Sequence, residues 1–101
     1  MNIVVKVHKS EGRVILAMCD EEVIGKVFEE GNKILDTASN FYNGLVMDEE
    51  SIKKYLKISY IINAVGKNSV DLLLKQDIID DDKVMKISDI PYAQAVITAE
   101  N

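Results

Sequence analysis

The stretch CDEEVIGKVFEEG, residues 19–31, decides the architecture, because the chain leaves a β-branched run there and must next choose between helix and strand. Before it, NIVVKVHK (2–9) and RVILAMC (13–19) are rich in β-branched residues and are joined by SEGR (10–13), where Gly12 supplies the positive φ of a tight hairpin. Ile3, Val5 and Val7 share one face of the first strand. In the second, Val14, Leu16 and Met18 alternate with Ile15, Ala17 and Cys19, so both of its faces read as buried. Asp20 can accept from the free amides of a helix start, and Glu21 and Glu22 suit its positive dipole end. Val23, Ile24, Val27 and Phe28 recur at helical spacing, so the pattern predicts a first helix closed by Gly31. Gly25 would cost that helix up to about 1 kcal/mol relative to alanine. Its presence predicts close approach of another backbone or a break in the helix.

Outward from there, KILDTA (33–38) reads as a strand and SNFYNG (39–44) as a loop with an Asn43-Gly44 turn. Asp48 caps a second helix in which Glu49 and Glu50 precede Lys53 and Lys54, while Ile52, Tyr55, Leu56 and Ser59 line one face. YIINAV (60–65) is a strand, Gly66 breaks it, and NSVDLLLKQ (68–76) is a third helix with Asn68 as its cap. KVMKI (83–87) and YAQAVIT (92–98) are strands around SDIP, with Pro91 confined to a strand start, edge or bulge. The order β-β-α-β-α-β-α-β-β predicts a single α+β domain over residues 1–101, with an N-terminal hairpin and a mixed sheet packed with about three helices.

A chain of 101 residues, 48% hydrophobic and 29% charged, supports one core. The charge-free run Ile58 to Gly66 is far short of the roughly 20 apolar residues of a membrane helix. The opening MNIVVKVHK lacks the pattern of a signal peptide, and a single cysteine agrees with a reducing, cytoplasmic setting and excludes a multi-thiolate zinc site. Twelve basic against 17 acidic residues, net −5, oppose broad attraction to nucleic acid. Lys53, Lys54, Lys57 and Lys67 are the candidates for a local basic patch, at the spacing of a solvated helix face.

CDEEVIGKVFEEG, FYNG (41–44), INAVGKNSV (62–70) with its leucine-rich helix, and IPYAQAV (90–96) together resemble the archaeal family called domain of unknown function 424, over almost the whole chain. The resemblance implies a small cytosolic archaeal protein and no defined activity. It also implies Pro-His-Ala-Gln near the end, where this chain has Pro91-Tyr92-Ala93-Gln94. A phenol titrates near pH ~10 and cannot replace a histidine as a proton shuttle near neutrality, so catalysis common to the family is disfavoured.

Candidate sites follow from residue type. Cys19 beside Asp20 would serve a small enzyme if a helix N-terminus lowered the thiol pKa and a base stood near; His8, the only histidine, could approach only if hairpin register allowed. Otherwise Cys19 is a small buried hydrophobe. VGKNS (65–69) suggests anion binding at a helix start, but a P-loop needs glycine where Ile61 stands. DIIDDDK (77–83) lacks the alternating ligands of a calcium loop. No cofactor and no metal are indicated. Phe41, Tyr42 and Asn43 in a loop, Lys67 and Asn68 at a helix start, and Tyr92 and Gln94 after a proline form the candidate ligand-binding set, although for Phe41 and Tyr42 taken alone the favoured role is to anchor the loop to the core. The reading favoured is a non-enzymatic binding module, an accessory of translation or RNA metabolism whose partner is an RNA-containing complex or another protein. The alternatives are the Cys19-Asp20 enzyme and a structural protein-protein interaction domain.

Overall fold

The computed structural model describes residues 2–97. Its hairpin is as read: β1 (Ile3–Ser10) and β2 (Arg13–Asp20) pair antiparallel from Ile3 opposite Asp20 to Ser10 opposite Arg13. Glu11 (φ 52) and Gly12 (φ 78) both take positive φ, as a type I′ turn requires. All of Leu16 to Cys19 is fully buried, which confirms that β2 is covered on both faces.

The first helix is absent. After a 3-10 turn over Glu21–Val23, β3 (Val27–Glu30) and β4 (Lys33–Asp36) form a second antiparallel hairpin. Gly25 (φ 79) stands outside the right-handed helical region, and a helix cannot pass through it. Gly31 (φ 62) occupies the first position of the two-residue Gly31-Asn32 turn, so it joins strands instead of ending a helix. Nothing lies within 4 Å of a Cβ placed on Gly25, so the close-approach explanation fails and backbone conformation is the reason for glycine. Gly25→Ala should therefore destabilise by about 1 kcal/mol through positive-φ strain, with Gly25→Asn milder. Urea midpoints check this, and stabilisation by alanine would contradict the geometry.

Thr37, which the sequence suggested only as part of a strand, fastens this excursion. It is buried; its hydroxyl lies within hydrogen-bonding reach of the Val23 (2.6 Å) and Lys26 (2.8 Å) carbonyls and accepts from the Lys26 amide (2.9 Å).

A short strand that the sequence did not announce, β5 (Leu45–Met47), pairs antiparallel with β1. The next helix is where expected: α1 (Glu49–Ile58) starts at Asp48, whose carboxylate accepts from the Ser51 amide at 2.8 Å, and it buries Ile52 and Leu56. Lys53 pairs with Glu49 (3.4 Å) and Glu50 (3.5 Å), so it is a solvated helix lysine. β6 (Ser59–Val65) then runs parallel to β2, and α2 (Lys67–Lys75) follows. The N-cap position of α2 is Gly66 and not Asn68. Asp80, Asp81 and Asp82 are exposed around a 3-10 turn.

β7 (Met85–Ile87) and β8 (Ile90–Val96) close the sheet through Ser88 (φ 49) and Asp89 (φ 65), another type I′ pair. Pro91 lies at the start of β8, just before its ladder with β6 begins at Tyr92, so no β6 bond is lost. Thr98, the expected last residue of that strand, lies outside the described residues.

The six-stranded sheet has the order β5-β1-β2-β6-β8-β7 and is mixed, since only β2 and β6 are parallel. The domain is α+β and strand-rich, with two α-helices among the described residues where three were expected. Both helices cover one face: Ile52, Leu56, Val70, Leu72 and Leu73 pack on Ile3, Val5, Leu16, Met18, Ile62 and Ala93. The other face is covered only near the ends of β2 and β6. There the segment from Val23 to Tyr42 lays Ile24, Phe28, Leu35 and Tyr42 against Cys19, Val65 and Tyr92.

Candidate functional site

β2 and β6 are the parallel pair, and their carboxyl ends, Asp20 and Val65, stand side by side where α2 begins. Ligand sites in α/β sheets gather at such ends. Here Asp20 fills the place. Its carboxylate accepts from the Asn68 amide (2.9 Å), the Ser69 amide (2.8 Å) and the Ser69 hydroxyl (2.8 Å). Asp20 does cap a helix, as its type suggested, but the helix is α2, 48 residues on, and not the segment that follows it.

Gly66 makes the contact possible. At φ 105 and ψ 159 it occupies a region open to glycine, and a Cβ there would run into the Asp20 side chain. The Gly66 amide donates to the Pro91 carbonyl at 2.8 Å, which ties the turn to β8. An anion arriving at α2 would meet a carboxylate already bound to the two amides it needs. Anion capture by Gly66, Lys67 and Asn68 is thereby opposed.

Cys19 faces the opposite side of the sheet, fully buried with Val23 and Val65, and its thiol donates to the Asp20 carbonyl at 3.4 Å. Burial, with the Asp20 carboxylate beside it, pushes the thiol up to about 12, the reverse of what a nucleophile needs. Register removes the base as well. His8 pairs opposite Ile15, four residues along β2 from Cys19, a separation of about 13 Å. Native Cys19 should accordingly react with thiol reagents near neutral pH no faster than the domain unfolds. Rapid stoichiometric labelling would contradict this.

Tyr42, in the same small cluster, is pushed up to about 12 by burial and by Cys19. Folding holds both groups neutral. Since their folded values lie above the ordinary 9.0 and 10.0, this stabilisation is complete below about pH 9 and lost as pH rises towards 12. A urea midpoint that stays level from pH 9 to pH 11 would contradict it.

The candidate binding residues separate into two groups. Tyr42 and Tyr92 meet on the Cys19–Val65 cluster as half-buried anchors. Phe41 stands edge-on to Tyr42 (5.1 Å, 87°) and stacks flat on His8 (4.6 Å, 8°), while a His8 ring nitrogen lies 2.9 Å from the Phe41 carbonyl. Asn68 is held through its amide by Asp20, leaving Lys67 exposed beside it. Asn43 is exposed, and Gln94, one alternation beyond Tyr92 on the same face, donates to the Asn63 side chain at 2.9 Å.

Strand pairing aligns Lys6, Ala17, Asn63 and Gln94 in one row across this face, with His8, Ile15, Ile61 and Val96 in the next. Lys6 and Asn63 lie outside the expected binding set, and His8 enters the sequence reading only as a base for Cys19; only their alternation with Val4 and Val65 points to this face. Among the described residues no group of three or more His, Cys, Asp or Glu is placed to hold a metal ion, and no helix is long and apolar enough to cross a membrane.

The model of a protein family described as "Protein of unknown function (DUF424)" matches residues 8–97. The chain belongs to the DUF424 family. Its structure is similar to the crystal structure of an uncharacterized conserved protein from Methanopyrus kandleri, with a TM-score of 0.82 at 20% identity, covering 100% of this chain and 96% of that one. That likeness shows a shared fold. No curated protein matches the sequence.

Proposed function

We propose that this DUF424 protein is a cytoplasmic, non-enzymatic binding module that serves an RNA-containing complex as an accessory of translation or RNA metabolism. The observation that carries the reading is the sheet face beside the aromatic loop. Its two outer rows present the His8–Phe41 stack, the Asn63–Gln94 amide pair, Lys6 and exposed Val96, from half-buried to exposed. Rings, amides and lysine on a flat sheet suit unstacked bases, each worth about 1–3 kcal/mol when stacked on an aromatic ring. Lys67, exposed at the start of α2 just after the end of β6, adds positive charge to a chain that is acidic overall. The burial of Cys19, the bonds of Asp20 to α2 and the distance of His8 favour this reading over the Cys19-Asp20 enzyme.

The test is capture of partners from native lysate by the full chain, with and without nuclease, compared with Lys67→Ala and Gln94→Ala. Both residues are exposed, so unfolding midpoints should hold. Nuclease-sensitive capture that both variants weaken is expected. Nuclease-resistant capture would favour the protein-protein interaction domain, and capture indifferent to both substitutions would overturn the proposed face.

A further inference from the structure

We propose that the cleft at the opposite end of β2, lined by Arg13, Lys57 and Tyr60, is a binding site for a nucleoside monophosphate group. The cleft is a broad, open depression of about 510 Å³, built by Gly12 and Arg13 of the first hairpin, the end of α1, the start of β6 and Ile97. The Arg13 guanidinium lies 4.1 Å from the centre of the Tyr60 ring. Such stacking orders a long side chain in advance and leaves the N–H edge of the guanidinium available to two oxygens of a phosphate.

The charges lining the cleft are Arg13 and Lys57, with no carboxylate among the described lining residues. Neither cation is within salt-bridge distance of a carboxylate among the described residues. In a chain of net −5, two cations converging on one concavity create a local positive potential opposite in sign to the whole. Apolar walls accompany them. Val14 and Ile97 lie in the lining, and Ile58 is 62% exposed although it is a large aliphatic residue. A phosphate monoester fits the bidentate guanidinium with Lys57 as a second charge, and the base fits the Tyr60 and Ile58 side. A bare inorganic anion would leave the ring and the aliphatic wall unused. This cleft borders the Ile15–Ile61–Val96 row of that sheet face but has its own lining, so Arg13→Ala and Lys57→Ala test it separately from the Lys67→Ala and Gln94→Ala variants that test the face.

The full chain, labelled with ¹⁵N, is titrated with adenosine and uridine monophosphates, with adenosine, and with a tetraribonucleotide bearing or lacking a 5′-phosphate. Expected are saturable amide shifts confined to Gly12, Arg13, Lys57 to Tyr60 and Ile97. Unphosphorylated adenosine should bind at least about tenfold more weakly, and binding should weaken as salt rises. Arg13→Ala should weaken the monophosphate about tenfold or more, Arg13→Lys should restore part of that, and Lys57→Ala should act in the same direction. Lys57 is exposed on α1, so its substitution reads binding even if Arg13 variants lose stability. Equal affinity for monophosphate and 5′-phosphorylated tetranucleotide supports the site with a free nucleotide as ligand; tighter binding of the phosphorylated tetranucleotide supports it with an RNA end. Shifts scattered elsewhere, no shifts at millimolar monophosphate, or indifference to both Arg13→Ala and Lys57→Ala would overturn it.

Discussion

Asp20→Ala is expected to lower the unfolding free energy by about 2–4 kcal/mol. Asp20 is 1% exposed, and its carboxylate accepts three hydrogen bonds from Asn68 and Ser69. Losing an N-cap side chain costs about 1 kcal/mol and at most about 2. The larger part comes from Ser69, which is fully buried, so that its amide and hydroxyl lose an acceptor with no water to replace it. Each such orphaned group costs about 1–3 kcal/mol. Asp20→Asn keeps the shape and one acceptor oxygen but turns donors towards α2, so it should fall between wild type and alanine. Urea unfolding with an unchanged slope and a lowered midpoint is the readout. A loss below about 0.5 kcal/mol would show that the contacts contribute little.

Gly66→Ala should be worse, at about 3–5 kcal/mol. Backbone strain at φ 105 accounts for about 1–3 kcal/mol. The added Cβ would then meet the Cγ of Asp20 and its Cβ at 2.7 Å. That side chain cannot swing aside without releasing its bonds to α2, so the substitution also removes part of the cap. The two changes should therefore be less than additive. In an Asp20→Ala background Gly66→Ala should cost mainly the strain, with a coupling of about 1–2 kcal/mol in the double-mutant cycle. Full additivity would mean that the glycine and the aspartate act separately.

Local signals carried most of the fold. The β1–β2 hairpin, α1 with its Asp48 cap, the strand-to-helix turn at Gly66 and the final strand pair all follow from alternation, turn residues and caps that act within a few positions. The segment from Val27 to Asp36 shows why the rest was harder. Val23, Ile24, Val27 and Phe28 recur at helical spacing, yet Gly25 breaks any helix, and VFEE-GN-KILD is itself a hairpin pattern with Gly-Asn at the turn. Two periodicities overlapped, and turn chemistry prevailed.

β5 was hidden for a different reason. Three residues carry no period of their own, and Leu45, 74% exposed, forms a strand only because β1 offers an edge.

At the site, Asp20 displayed its capping chemistry while its partner lay 48 residues away, set by the parallel pairing of β2 with β6. Tyr42 and Tyr92 have the chemistry of anchors or of a surface, and they are half-buried because the β3–β4 excursion, whose helical spacing hides its hairpin, packs beside them. Arg13 and Tyr60 attracted no notice in sequence. Only the pairing of β2 with β6 brings the start of one beside the start of the other.

Cys19-Asp20 is a structural junction in which the Asp20 carboxylate holds the start of α2. The most direct measurement is amide hydrogen exchange at Asn68 and Ser69. The first amides of a helix have no intrahelical acceptor and ordinarily exchange freely. Here Asn68 and Ser69 should be protected to the same order as Leu72 and Leu73 in the body of α2, and Asp20→Ala should abolish that protection while the helix body keeps some of its own. Free exchange of both amides in the wild-type protein, with Leu72 and Leu73 still protected, would show that the carboxylate is not bound there and would contradict the account.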